Sequence, residues 1–173
     1  MTITSSNLQF LRESIPQLEA YLLSEELFWP MSSSLPRLTP GAFLIDMKRV
    51  AYFMPAEAKL FDEQFNIIKS RWHSAWNRKI SREIKNRMRL WSGFLSDSLN
   101  SSEKKFGNYS NEVRGRVILE ILLEEVGEFS DQSVLDDLDK VVKSNLKPGG
   151  FLWDADEQDI FPIEPFWYLY GKI

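Results

Sequence analysis

The sequence predicts an all-α fold, a single-domain bundle of five or six helices closed by an extended aromatic C-terminal arm. Three observations predict it. Apolar residues recur at spacings of three and four over most of the chain, the period of a helix face. Runs that alternate apolar and polar, the mark of half-buried strands, are missing, and only 8 of 173 residues are glycine. The composition, 43% hydrophobic and 13% aromatic, is that of a chain with one sizeable core. The helical core is read as residues 1–150 and the arm as 151–173.

Leu8, Leu11, Ile15, Leu18 and Leu22 form the first stripe. Pro16 falls within it, and proline is tolerated in a helix's first turn, where no intrahelical N–H bond is lost. Ser14 and Gln17 have capping-box spacing around it. The spacing therefore predicts a helix from about Ile15 to Phe28, with residues 6–13 a short helix of their own. Trp29-Pro30 stops the helix, because the residue before proline avoids helical geometry, and 30–38 reads as a loop. Thr39-Pro40-Gly41 is a restart, with Thr as N-cap and Pro at the first helical position. That helix carries Phe43, Leu44, Met47, Val50 and Ala51 and stops near Met54.

From Pro55 a longer stripe runs through Phe61, Phe65, Ile68, Trp72, Trp76, Ile80, Ile84, Met88, Trp91 and Leu95. A straight helix over 57–95 would be roughly 58 Å long at about 1.5 Å per residue. That is long for this chain, so a bend is expected, with Ser92-Gly93 the natural place. Residues 96–110 are polar and turn-rich and read as a loop. A helix over 111–128 is apolar nearly all round through Val117–Leu123, which predicts a central, buried position. Ser133 and Asp136 form a capping box for a last helix. Its inner face is Val134, Leu135, Leu138, Val141 and Val142, with Lys143 and Lys147 at its negative end. Pro148-Gly149-Gly150 ends it. In the tail, Phe151, Trp153, Phe161, Phe166, Trp167, Tyr168 and Tyr170 are too densely aromatic for a solvated segment. They either wrap the chain's own core or are offered to a partner.

The formal charge of −4 hides an asymmetry. Residues 69–89 carry a local charge of +7, broken only by Glu83, while 120–139 carry −8 and 154–164 carry −5. On a helical wheel Arg71, Arg78, Arg82, Lys85 and Arg89 fall within about 60° of one another, a ridge about 27 Å long. Such a ridge matches a phosphate backbone, and Arg114 and Arg116 would extend it. It is also what a solvated helix face looks like, and the acidic stretches are available to neutralise it. Trp72 and Trp76 lie on the apolar stripe beside it, a spacing that means core more often than base stacking.

Much chemistry is missing. The chain has no Cys and one His, which removes disulfides, thiol catalysis and His-rich metal sites. No glycine-rich phosphate loop and no G-x-S-x-G elbow occurs, so no cofactor is expected. His73 falls on the apolar side between Trp72 and Trp76, as a core-edge residue. Asp154, Asp156 and Asp159 do not form an EF-hand, because the required glycine is missing and the twelfth position is Pro165. Glu120, Glu124 and Glu128 line one helix face without the His that a di-iron bundle needs, so no metal site is expected. The start lacks a basic segment followed by an apolar one, and Val117–Val126 is far short of a membrane span. The reading is a cytoplasmic protein with no membrane contact.

Three function classes follow. The first is a non-catalytic helical interaction subunit or adaptor of a larger protein assembly. Its partner is another protein or a second copy of itself, met by Trp153, Phe166, Trp167, Tyr168 and Tyr170. The second is a small helical subunit of a ribonucleoprotein or DNA-processing complex, gripping a DNA or RNA backbone with Arg71, Arg78, Arg82, Lys85 and Arg89. The third, an enzyme with an unfamiliar carboxylate site, has least support in these residues.

Overall fold

The computed structural model describes residues 3–100 and 109–173. It is mostly helical, with seven α-helices and one two-stranded ribbon among the described residues. The chain divides into two compact units, Met1–Glu83 and Ile84–Ile173. No helix among the described residues is long and apolar enough to cross a membrane.

The first unit holds α1 (Ile3–Leu23), α2 (Pro40–Phe53), α3 (Pro55–Arg71) and the start of α4 (His73–Asn100). α1 is a single helix that runs through Pro16, where the sequence suggests two. Its inner face explains why. Phe10, Leu11, Ser14, Ile15, Leu18, Tyr21 and Leu22 are all buried, and α1 packs on both α2 and α3. An interior proline costs about 3 kcal/mol; burying one large apolar side chain contributes about 1.5–3 kcal/mol, and here there are several. The helix stops at Leu23, five residues earlier than the apolar spacing suggests. The Ser24 hydroxyl donates to the Tyr21 carbonyl at 2.8 Å. The buried Lys79 ammonium donates to the carbonyls of Ser24, at 2.8 Å, and of Glu26. Side chains thus satisfy carbonyls that another helical turn would have used. Beyond this end Trp29 and Leu38 exchange backbone bonds at 3.0 and 2.9 Å and close the loop between them.

Thr39 caps α2 as expected, its hydroxyl accepting from the Ala42 N–H at 3.1 Å. The bend in the long apolar stripe falls at Trp72, with φ −115° and ψ 33°, and not at Ser92-Gly93, which lies inside α4. Packing decides this. The Phe65 and Trp76 rings meet edge to face at 4.9 Å. In a straight helix residues eleven apart would be about 16 Å apart along the axis. Ser92 and Gly93 are exposed, and a Cβ on Gly93 would touch nothing, so no contact there favours a bend.

The second unit holds the rest of α4, α5 (Tyr109–Val126), α6 (Gln132–Asn145), β1 (Lys147–Phe151), a 3-10 turn (Ala155–Glu157), α7 (Ile163–Phe166), a 3-10 turn (Trp167–Leu169) and β2 (Tyr170–Lys172). α4 and α5 take up both ends of the loop expected over 96–110, and residues 101–108 of that loop lie outside the described residues. α5 is the buried helix the apolar run predicts, with Val113, Val117, Ile118, Leu119 and Leu122 fully enclosed. It ends where Gly127, at φ 76°, gives its N–H to the Leu123 carbonyl at 2.9 Å, a left-handed stop that glycine adopts without penalty.

Two expectations are corrected here. α6 begins after Asp131 and makes no side-chain cap bond, so Ser133 lies in its first turn and the Ser133–Asp136 box does not form. Pro148-Gly149-Gly150 is more than a helix stop. It belongs to β1, which pairs antiparallel with β2 through Lys147 with Lys172, Pro148 with Gly171 and Phe151 with Tyr170. The close approach needs Gly171, because a Cβ there would lie 2.6 Å from the Lys147 carbonyl oxygen.

Candidate functional site

The C-terminal arm folds on itself and onto α5. Phe161 and Phe166 meet at 5.3 Å, Trp153 and Phe161 at 5.1 Å, and Phe151 and Tyr170 at 5.3 Å. The Tyr109 hydroxyl, at the start of α5, donates to the Tyr168 carbonyl at 2.8 Å. Among the aromatic residues singled out for a partner, Phe166 and Tyr168 are buried in their own unit, while Trp153, Trp167 and Tyr170 stay half-buried.

Trp167 forms part of a cleft of about 430 Å³. α5 supplies Arg116, Glu120 and Glu124, spaced four apart and so on one helix face. α6 supplies Gln132, Leu135 and Asp139, and the arm closes the cleft with Pro165 and Trp167. At its base Arg116 makes a two-pronged bond to Asp139, at 3.0 and 2.9 Å, and a third bond to Glu120 at 2.7 Å. The guanidinium lies 4.5 Å over the Tyr168 ring. Burial opposes the Arg116 charge, but the Asp139 hydrogen bond and the charges of Asp139 and Glu120 outweigh it and raise its pKa. Glu120, Glu124 and Asp139 against Arg116 leave the lining with an excess of two negative charges at neutral pH. The Lys143 ammonium sits 4.8 Å over the Trp167 ring.

The Glu120–Glu124 spacing is legible in the sequence, but Glu128, its third expected member, lies beyond the end of α5. Arg116 reads there as an extension of the basic ridge, and the structure places it at the base of an acidic cleft instead. The only early signal for this role is its distance of four residues from Glu120.

The basic ridge is exposed at all five positions. It is not one helix, because Arg71 ends α3 and the other four lie on α4 beyond the turn at Trp72. Arg71 approaches Glu19 at 3.9 Å, and Arg82 approaches Glu25 at 4.0 Å and donates to the Glu25 carbonyl at 2.8 Å. Arg89 donates to Asn86 at 3.3 Å, and Arg78 and Lys85 have no ion pair among the described residues.

Glu83, the one acid in the segment, is fully buried and serves α2. It accepts from the Thr39 hydroxyl at 2.8 Å and from the Gly41 N–H at 2.7 Å. His73 is not at a core edge. The turn at Trp72 shifts the phase of the wheel, and His73 is exposed, 3.0 Å from the Asn77 amide. Trp76 is core as expected, and Trp72 is half-buried at the turn. Among the described residues no group of His, Asp and Glu is placed to hold a metal ion.

No protein-family model, no curated protein and no solved structure matches this chain.

Proposed function

We propose that the chain is a non-catalytic helical interaction subunit of a larger protein assembly, and that the α5–α6–arm cleft receives a basic segment of its partner. The observation that carries this reading is the meeting of three carboxylates and the half-exposed Trp167 in one concave surface. Arg116 is already held by Asp139 and Glu120, so the residual potential of the cleft is negative and favours an incoming cation. Trp167 adds a ring on which an ammonium or guanidinium is stabilised; Lys143 already uses that geometry. The aromatic arm thus contributes one partly open ring to the cleft, while Phe161, Phe166 and Tyr168 are packed inward.

Titration calorimetry with a short Lys/Arg-rich peptide, against the same peptide with Glu at the basic positions, tests this. The basic peptide is expected to bind, and to weaken as salt rises. Glu124→Gln combined with Trp167→Ala is expected to weaken it by at least roughly tenfold, or about 1.4 kcal/mol. Equal binding of both peptides, or unchanged affinity in the double variant, would overturn the reading.

A second reading, contact with a DNA or RNA backbone, is favoured by the exposure of all five ridge positions and by the lack, among the described residues, of ion pairs at Arg78 and Lys85. Its charge is local, in a chain whose overall balance is acidic.

A further inference from the structure

The second unit holds another cleft, between α4 and the first turns of α5, with a volume of about 200 Å³. Its chemistry is the reverse of the acidic one. Arg87 and Trp91 line it from α4, and Asn111, Arg114 and Gly115 from α5. Arginine and the indole N–H are donors with no acceptor of their own. Trp91 is only 3% exposed, and its indole N–H has no hydrogen-bond partner among the described residues. A buried donor without an acceptor is costly, and native structures rarely keep one unless something else supplies the acceptor.

We infer that this cleft binds a phosphate group, carried by a nucleotide or nucleic-acid strand or free in solution. The Trp91 N–H and the Arg87 and Arg114 guanidinium groups would donate to its oxygens. Each guanidinium has five N–H donors, so it can keep a protein partner and still serve an anion. Glu112 also lines the cleft, which leaves a net charge of +1, a match for a singly charged phosphodiester. The space beside Gly115 is open, since a Cβ built on it meets no atom within 4 Å. None of these residues is among the five of the exposed ridge or in the lining of the acidic cleft, so the inference stands or falls apart from either.

The full-length chain, labelled with ¹⁵N at its tryptophan indoles, gives one N–H signal per tryptophan by NMR. Trp91→Phe identifies the Trp91 signal by its loss. Titration with inorganic phosphate is expected to move that signal downfield and saturably, while sodium chloride at matched ionic strength leaves it in place. Arg114→Gln is expected to weaken the effect at least tenfold. Gly115→Leu, which fills the cleft from a position with open space, is expected to abolish it with the other indole signals unmoved. Adenosine monophosphate and an oligothymidylate then distinguish the source. Tighter binding of either assigns a nucleotide or strand, and equal or weaker binding assigns free phosphate. A Trp91 signal that stays fixed up to about 20 mM of all three probes, well beyond a millimolar Kd, overturns the inference. So does a phosphate response that survives Gly115→Leu.

Discussion

Glu83 and Thr39 lie 44 residues apart and meet through a 2.8 Å hydrogen bond from the Thr39 hydroxyl to the Glu83 carboxylate. The same carboxylate accepts the Gly41 N–H at 2.7 Å, so a fully buried negative charge sits at the positive end of α2. Glu83→Ala leaves two buried donors without acceptors, at roughly 1–3 kcal/mol each. Glu83→Gln keeps one acceptor oxygen and is expected to lose clearly less. Urea unfolding followed by tryptophan fluorescence checks both. A Glu83→Ala midpoint equal to that of the parent would show that the carboxylate does not hold α2.

The Arg116 cluster makes a comparable prediction for the second unit. Removing one side of a buried, two-pronged ion pair strands the other, at about 3–5 kcal/mol. Arg116→Met is expected to lose that much, because Asp139 and Glu120 are left facing each other. Arg116→Lys recovers only part of it, since an ammonium cannot reproduce the fork. Adding Asp139→Leu to Arg116→Met removes one of the stranded charges and is expected to restore part of the stability. The coupling in this double-mutant cycle is the measurement. Additive losses would show that the pair is not coupled.

These two clusters also show what the sequence makes legible. Thr39-Pro40 predicts its helix start correctly, because N-cap chemistry is local: the Thr39 hydroxyl bonds to Ala42 within the same turn. The buried course of α5 is legible for a similar reason, since its apolar run leaves no face for water. Pro16 and Trp72 mislead because tertiary packing decides at both. The continuous inner face of α1 overrides a proline, and the Phe65–Trp76 contact requires a turn that no glycine or proline marks. Gly171 opposite Pro148 is a pairing across 23 residues, and no periodicity announces it. The roles of Glu83 and Arg116 escape for the same reason. Each reads as a surface charge until its distant partner, Thr39 or Asp139, is in place.

Alkaline pH tests the burial of three tyrosines. Burial is the largest cause that pushes the phenols of Tyr21, Tyr109 and Tyr168 above their ordinary range. In the unfolded chain they ionise near pH 10. Above that pH the folded state holds protons that the unfolded state has lost, so stability falls as pH rises. Below it, their full contribution is present. Three such groups give a slope of up to about 4 kcal/mol per pH unit. Near-UV phenolate absorbance is expected to show these three ionising together with the loss of helical circular dichroism. Ionisation of all five tyrosines near pH 10 with helicity intact would contradict their burial.

The basic ridge is settled by charge reversal. Arg78 and Arg82 are exposed, and the one ion pair between them, Arg82 with Glu25, is long at 4.0 Å. A surface pair of that kind contributes about 0–1 kcal/mol, so Arg78→Glu with Arg82→Glu is expected to leave the unfolding midpoint nearly unchanged. Binding to duplex DNA across a salt series then reads the ridge directly. Each neutralised phosphate contributes about 0.9 to the log–log slope. Loss of two bases that touch phosphates is therefore expected to make the slope shallower by about 1.8, and to weaken binding at every salt concentration. A slope that does not change, or no binding by the parent chain even at low salt, makes the ridge a solvated helix face. The acidic cleft would then remain as the proposed partner surface.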